Sequence, residues 1–272
     1  MRLSELGEHG FLGELEHRGL AQAIEHDAAV VDGLVVTQDA LVEGVHFRLD
    51  WISFRDLGFR AAAVNISDLS ASGATPSALV VTLAAPPDTD VGDLYELYQG
   101  IAETGVPVVG GDTTKAASLS LSVTALGRSD RVPGRAGARP GDHLVVTGPL
   151  GAAGAGFREG RYVRPPIRTE EGRSLARSAH AMLDISDGIA QDAAHIALRS
   201  GVRCTIDLDC VPIAEGATPD ELGFGEDFEL LAAVPESDFH VVGRCEAGEG
   251  VELLRNGEPY SLAGWDHFKE AT

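Results

Sequence analysis

Apolar residues recur at two spacings along the first half of the chain. Over Phe54–Ala71 they return at helical intervals, with Leu57, Ala61, Val64 and Leu69 near one face and alanines filling much of the rest. Residues 91–104 repeat the pattern through Leu94, Leu97, Tyr98 and Ile101. Shorter apolar runs read as strands. Residues 30–37 read as a hairpin or strand pair leading into Gln38-Asp39. Residues 79–85 form an apolar strand, and 106–109 a short buried strand ending at Gly110-Gly111-Asp112. Residues 119–126 alternate apolar with Ser or Thr, the period of a half-buried strand.

Residues 131–142 break the pattern. Two prolines, three glycines and three arginines make this stretch a loop or linker. It divides the chain into domains at 1–138 and 139–272. The second half opens on a strand at 143–147. The turn GPLGAAGAGF then leads into a helix, either as a phosphate cradle or for close helix–strand packing. After an arginine-rich polar stretch at 162–169, a helix is expected at 174–182. Asp184-Ile185-Ser186-Asp187-Gly188 leads into a second helix over Ile189–Ser200, with Asp187 as its cap. Residues 202–208 read as a strand, and FGEDFELLAAV as a glycine turn entering another. A hairpin turning at Asn256-Gly257 follows.

Composition narrows the function classes. The chain has 272 residues and 44% hydrophobic content, enough for a sizeable core. No apolar run approaches the roughly 18 residues of a membrane span, and the charged N-terminus has no secretory h-region, so a cytoplasmic protein is expected. Cys204, Cys210 and Cys245 include no CxxC and read as reduced structural thiols. The nine histidines form neither HxxxH nor HExxH, which argues against zinc. Net charge is −21, and the only lysines are Lys115 and Lys269, against 19 arginines. A broad nucleic-acid-binding face is thereby excluded. The acid excess reads as a halophile's surface, with an ordinary acidic enzyme as the alternative.

Six acids stand apart from that surface. Asp27, Asp39, Asp68, Asp112, Asp184 and Asp187 sit among small, glycine or apolar residues, where strands end or helices turn inward. Gathered by a fold, they would repel strongly at low dielectric unless divalent cations or shared protons held them. Oxygen ligands of this kind suit magnesium serving a polyphosphate. No Walker sequence and no GxGxxG is present.

In order, HDAAVV, TQDALVEGVHF, AVNISDLSASGATP, VVGGDTTK, GRAGARPGDHLVVTGPLG, MLDISDGIAQDAAHIA, FGEDFELL and GWDHF resemble the motifs of the thiamine-monophosphate kinases. That family lies in the superfamily of aminoimidazole ribonucleotide synthetase and selenophosphate synthetase. Three departures stand out. His26 replaces a family acid, Lys115-Ala116 replaces the end of the GGDTTRG segment, and Phe224 replaces a glycine. A selenophosphate synthetase would carry a reactive cysteine near its N-terminus, whereas the first here is Cys204.

The resemblance implies an α+β fold of two domains. The N-terminal domain would hold a mixed sheet with helices and dimerise through its strands. The C-terminal domain would be an α/β sandwich completing the active-site cleft. The implied reaction is ATP-dependent phosphorylation of thiamine monophosphate to thiamine diphosphate, with several Mg2+ ions and no covalent nucleophile. The six aspartates are the implied metal ligands, with Thr37 and Gln38 adding oxygens. For Thr37, a strand-end hydroxyl bonded to backbone is the alternative. ATP would contact Gly111, Asp112, Arg135 and Ser186. The substrate would contact His46, Glu226 and Trp265, the carboxylate facing its cationic portion and the indole stacking on its ring.

Overall fold

The structure, a computed structural model, describes residues 2–21, 26–262 and 264. Two sheets that share no strand organise the chain. The first comprises β1 (Ala29–Val31), β2 (Leu34–Val42), β3 (Thr75–Ala85), β4 (Val108–Lys115) and β5 (Ser120–Arg128), in the order β1-β2-β5-β3-β4. Neighbours are antiparallel except β3 and β4, which run parallel. A parallel pair needs a crossover, and helix α3 (Val91–Ala102) supplies it. Helix α1 (Leu3–His17) precedes this sheet in the chain.

Helix α2 (Phe54–Ala71) starts where Ser53 accepts the Asp56 amide hydrogen, and it covers one face of the sheet. Its Leu57, Ala61, Ile66 and Leu69 pack with Val35, Leu41, Val81, Leu83, Leu121 and Val123. On its far side α2 meets α3 backbone to backbone. A Cβ on Gly58 would lie 1.8 Å from the Leu97 carbonyl oxygen, and one on Gly100 1.8 Å from that of Arg55. Only glycine permits that approach.

The second sheet runs β12-β11-β8-β10-β6-β9-β7. Its strands are β6 (His143–Val146), β7 (Ala181–Asp184), β8 (Arg203–Asp207), β9 (Leu230–Val234), β10 (His240–Glu246), β11 (Gly250–Arg255) and β12 (Glu258–Tyr260). Helix α4 (Ala152–Glu159) follows β6. Helix α6 (Ile189–Ser200) places Ile189, Ala193, Ile196 and Ala197 in the core beside Leu144, Val146, Leu183, Ile206 and Leu231. The residues at alternate positions, Val145, Met182, Leu230, Ala232 and Val234, form a separate cluster. They pack with Leu175 and Ala176 of α5 (Thr169–Ala176) and with Ala71 from the end of α2. Apolar packing of α2 therefore joins the two halves.

Several expectations are corrected. Residues 174–182 are not one helix, because α5 ends at Ala176 and β7 begins at Ala181. The expected buried strand at 106–109 is instead β4, an edge strand that runs through Gly110-Gly111-Asp112 with all eight residues exposed. Gly188, not Asp187, caps α6, at a φ of 101°. Among the described residues, no helix is long and apolar enough to cross a membrane.

Candidate active site

Carboxylates from both halves converge at the C-terminal end of α2. Strand alternation turns Thr37 and Leu41 of β2 inward and leaves Gln38 and Ala40 exposed. Thr37 Oγ1 donates to Asp68 Oδ2 at 2.5 Å. It lies 3.5 Å from the Asp27 carbonyl oxygen, so the carboxylate is its main partner. The Asp39 amide donates to Asn65 Oδ1 on α2 at 3.0 Å. Asp184, at the end of β7, accepts from Ser67 Oγ at 2.5 Å. Arg135 arrives from the linker, with both Nε and Nη2 2.8 Å from Asp27 Oδ1.

Proton affinity follows this crowding. Burial, then the charges of Asp39, Asp184 and Asp27, pushes the Asp68 carboxyl well above the ordinary range. Burial and the charge of Asp27 take Asp184 up to about 8. Burial also raises Asp27, although Arg135 opposes it. The Asp27 side chain is 3% exposed, and its Oδ2 is buried with no hydrogen-bond partner. An orphaned anionic oxygen beside three more carboxylates is a donor set that fits a hard divalent cation. His26 Nδ1 is likewise buried without a hydrogen-bond partner.

The cluster continues onto α6. Asp187, Asp192 and His195 each offer a ligand atom, all within 4.8 Å of one another. Asp192 Oδ2 accepts the Asp187 amide hydrogen at 3.0 Å, so it orders the loop carrying the expected ligand.

Two expected ligands lie elsewhere. Asp112 pairs in register with Thr82, on the face of the sheet turned away from α2. Gln38 occupies that same face and donates to Ser122 Oγ at 2.7 Å, so its side chain does not join the buried cluster. Gly111 carries a strict backbone requirement: its φ is 150°, and a Cβ there would lie 1.8 Å from the Val81 carbonyl oxygen. The backbone carbonyl of Ser186 accepts the Glu226 amide hydrogen at 2.8 Å.

The substrate-contact candidates are gathered by a residue the motif reading passed over. Arg60 of α2 is 5% exposed. Its Nη1 donates to the His46 carbonyl oxygen at 2.6 Å, and its Nη2 to Glu226 Oε1. His46 Nδ1 accepts the Val42 amide hydrogen at 3.1 Å. Glu226 holds a φ of 58°, which is rare for a residue with a side chain. Trp265 lies outside the described residues. The signal for Arg60 was an arginine inside an alanine-rich apolar helix, where an unpaired charge would be costly. Asn65 and Ser67 carried a weaker signal as polar residues within a buried helical stretch.

The phosphate-cradle reading of the turn before α4 fails. Asp227, 5% exposed, already fills that helix end, with its two oxygens accepting the Gly151 amide hydrogen at 2.9 and 2.8 Å. Close packing is the role that remains.

Two sheets, a helix joining them and an acid cluster at the joint define an AIR synthase-related protein. The N-terminal domain model of that superfamily matches residues 25–129 and the C-terminal domain model residues 139–253. Within it, this chain belongs to the thiamine-monophosphate kinase family. It is 33% identical to the thiamine-monophosphate kinase of Aquifex aeolicus across 98% of this chain and all of that one. It is 35% identical to that of Rhodopirellula baltica across 94% and 90%. A solved structure described as AaThiL complexed with AMPPCP and TMP superposes with a TM-score of 0.89 at 32% identity, covering 98% of this chain and 99% of that one.

Proposed function

We propose that the protein uses ATP to phosphorylate thiamine monophosphate, giving thiamine diphosphate. The observation that carries this reading is the convergence of Asp27, Asp39, Asp68 and Asp184 from both halves, with an orphaned oxygen among them. Family membership and the likeness to a structure holding an ATP analogue and TMP support the choice of substrates.

Both reactants are phosphates, so the chemistry needs charge neutralisation and in-line positioning rather than a covalent intermediate. Asp27, Asp39, Asp68, Asp184 and Asp187, with Thr37, would hold Mg2+, while Asp112, on the sheet's other face, would meet the nucleotide rather than this cluster. Bound Mg2+ would screen the reacting phosphates and stabilise the leaving oxygen. Arg135 offsets part of the cluster's charge through Asp27, and its guanidinium suits a phosphate clamp. Glu226 would receive the cationic portion of thiamine, and His46 would contact the substrate.

The domain division near residue 138, a homodimer and a cytoplasmic location complete the proposal. On the sheet face opposite α2, Ser120, Ser122, Thr124, Val80, Thr82 and Ala84 are only half-buried, which supports strand-mediated pairing of two copies. The direct test is incubation with ATP, Mg2+ and thiamine monophosphate in high potassium salt, assayed for thiamine diphosphate. Absence of product across a range of salt and magnesium would overturn the assignment.

A further inference from the structure

We infer that Arg60 is a positioning residue for substrate recognition, holding the two halves of the thiamine-binding site in register. The inference rests on the reading of His46 and Glu226 as substrate contacts.

Arg60 is the buried member of a cross-domain contact. Its side chain is 6% exposed, while that of Glu226 is 37% exposed. One guanidinium nitrogen takes the carbonyl of His46, fixing the loop after β2. Another takes Oε1 of Glu226, which belongs to the turn before β9 in the other half. The guanidinium carbon also lies 5.8 Å from the centre of the Tyr162 ring. A planar fork with several fixed donors can span two acceptors in this way, whereas a lysine ammonium offers one compact charge.

The turn bearing Glu226 needs such a hold. Its φ of 58° is unfavourable for a residue with a Cβ and persists only if its surroundings enforce it. The Glu226 amide donates to the Ser186 carbonyl, which fixes the backbone. At Gly225 a Cβ would lie 2.2 Å from that same carbonyl oxygen, so the turn sits flush on the Asp184–Asp187 loop. Arg60 fixes the side chain. With Oε1 engaged by the buried guanidinium, the remainder of a carboxylate that is 37% exposed would meet a cationic ring already aimed. This arrangement lowers the ordering cost of binding.

The test uses the full chain with Arg60→Met, Arg60→Lys and Glu226→Gln, and Arg60→Met/Glu226→Gln as the double variant. Thermal melting checks the fold. KM is measured separately for thiamine monophosphate and ATP, and thiamine monophosphate binding is measured by calorimetry without ATP. Arg60→Met is expected to raise the KM for thiamine monophosphate about tenfold, on the scale of a lost charge-assisted contact, while the KM for ATP stays within about twofold. Arg60→Lys recovers part of the loss. The double variant is no worse than the poorer single one, because both changes disable one device. If Arg60→Met does not fold, Arg60→Lys decides: a KM for thiamine monophosphate raised about threefold at unchanged melting temperature supports the inference, and an unchanged KM overturns it. Equal losses for both substrates, or strictly additive effects, also overturn it. If Glu226→Gln alone leaves thiamine monophosphate binding intact, the site reading beneath the inference fails. If Glu226→Gln weakens binding and folded Arg60→Met does not, only the inference fails.

Discussion

Ser67 donates its hydroxyl hydrogen to Asp184 Oδ2 at 2.5 Å, from the long helix of the first half to the strand-end residue that opens the DISDG segment in the second. Both residues are buried, and 117 positions separate them. This hydrogen bond crosses the joint at the acid cluster itself, so packing of the halves and placement of the carboxylates are one event.

Ser67→Ala removes that donor and leaves a buried carboxylate short of a partner. A stability loss of about 1–3 kcal/mol is expected in denaturant unfolding. The Mg2+ concentration for half-maximal turnover should rise as well. Unchanged values of both would show that the bond does not position Asp184.

Asp112→Asn separates chemistry from folding. Asp112 lies on an exposed edge strand, so stability should change by no more than about 0.5 kcal/mol. Turnover should fall by about two orders of magnitude if Asp112 contacts the nucleotide from the sheet's other face. Full activity in Asp112→Asn would remove it from the nucleotide site.

Asp227 gives a pH test away from the proposed metal ligands. Burial pushes its carboxyl up to about 7, against the opposing pull of the amides at the start of α4. Between the ordinary carboxylate value near 4 and that value, the folded chain holds a proton the unfolded chain has released. This contribution is therefore full below about pH 4, declines as pH rises, and is lost above about pH 7. Asp227→Asn keeps an acceptor for the helix but cannot ionise. Its melting temperature should fall less steeply than wild type between about pH 5 and 7. Parallel profiles would refute the assignment.

Salt should stabilise the protein. A net charge of −21 repels itself, and screening shortens from about 10 Å at 0.1 M to about 3 Å at 1 M. Melting temperature should rise steadily with KCl over that range. A flat response would mean the acid excess is already balanced locally.

Much of the architecture was legible because its signals are local. Periodicity gave α2 its observed bounds, Phe54–Ala71. The Asn256-Gly257 turn marked the last hairpin, with positive φ at both residues. The aspartate motifs located Asp27, Asp39, Asp68 and Asp184, which the fold does gather. The failures have long-range causes. An apolar run at 106–109 says nothing about whether its strand lies at an edge, so β4 read as buried. Asp112 and Gln38 share a face of the sheet opposite the cluster, and that depends on strand register across the whole sheet. Asp187 resembled a cap, but the Asp192 carboxylate binds its amide and Gly188 takes the cap position. The role of Arg60 depends on Glu226, 166 residues away.

The pairing of Arg135 with Asp27 has a consequence for how the protein comes to exist. The carboxylates lie together in the folded chain, so a chain that folds without ligand must offset their repulsion with its own charges. An arginine carried in the loop between the halves accompanies the chain as an internal counterion, available as soon as those halves meet. Folding of the joint therefore need not depend on a bound cation.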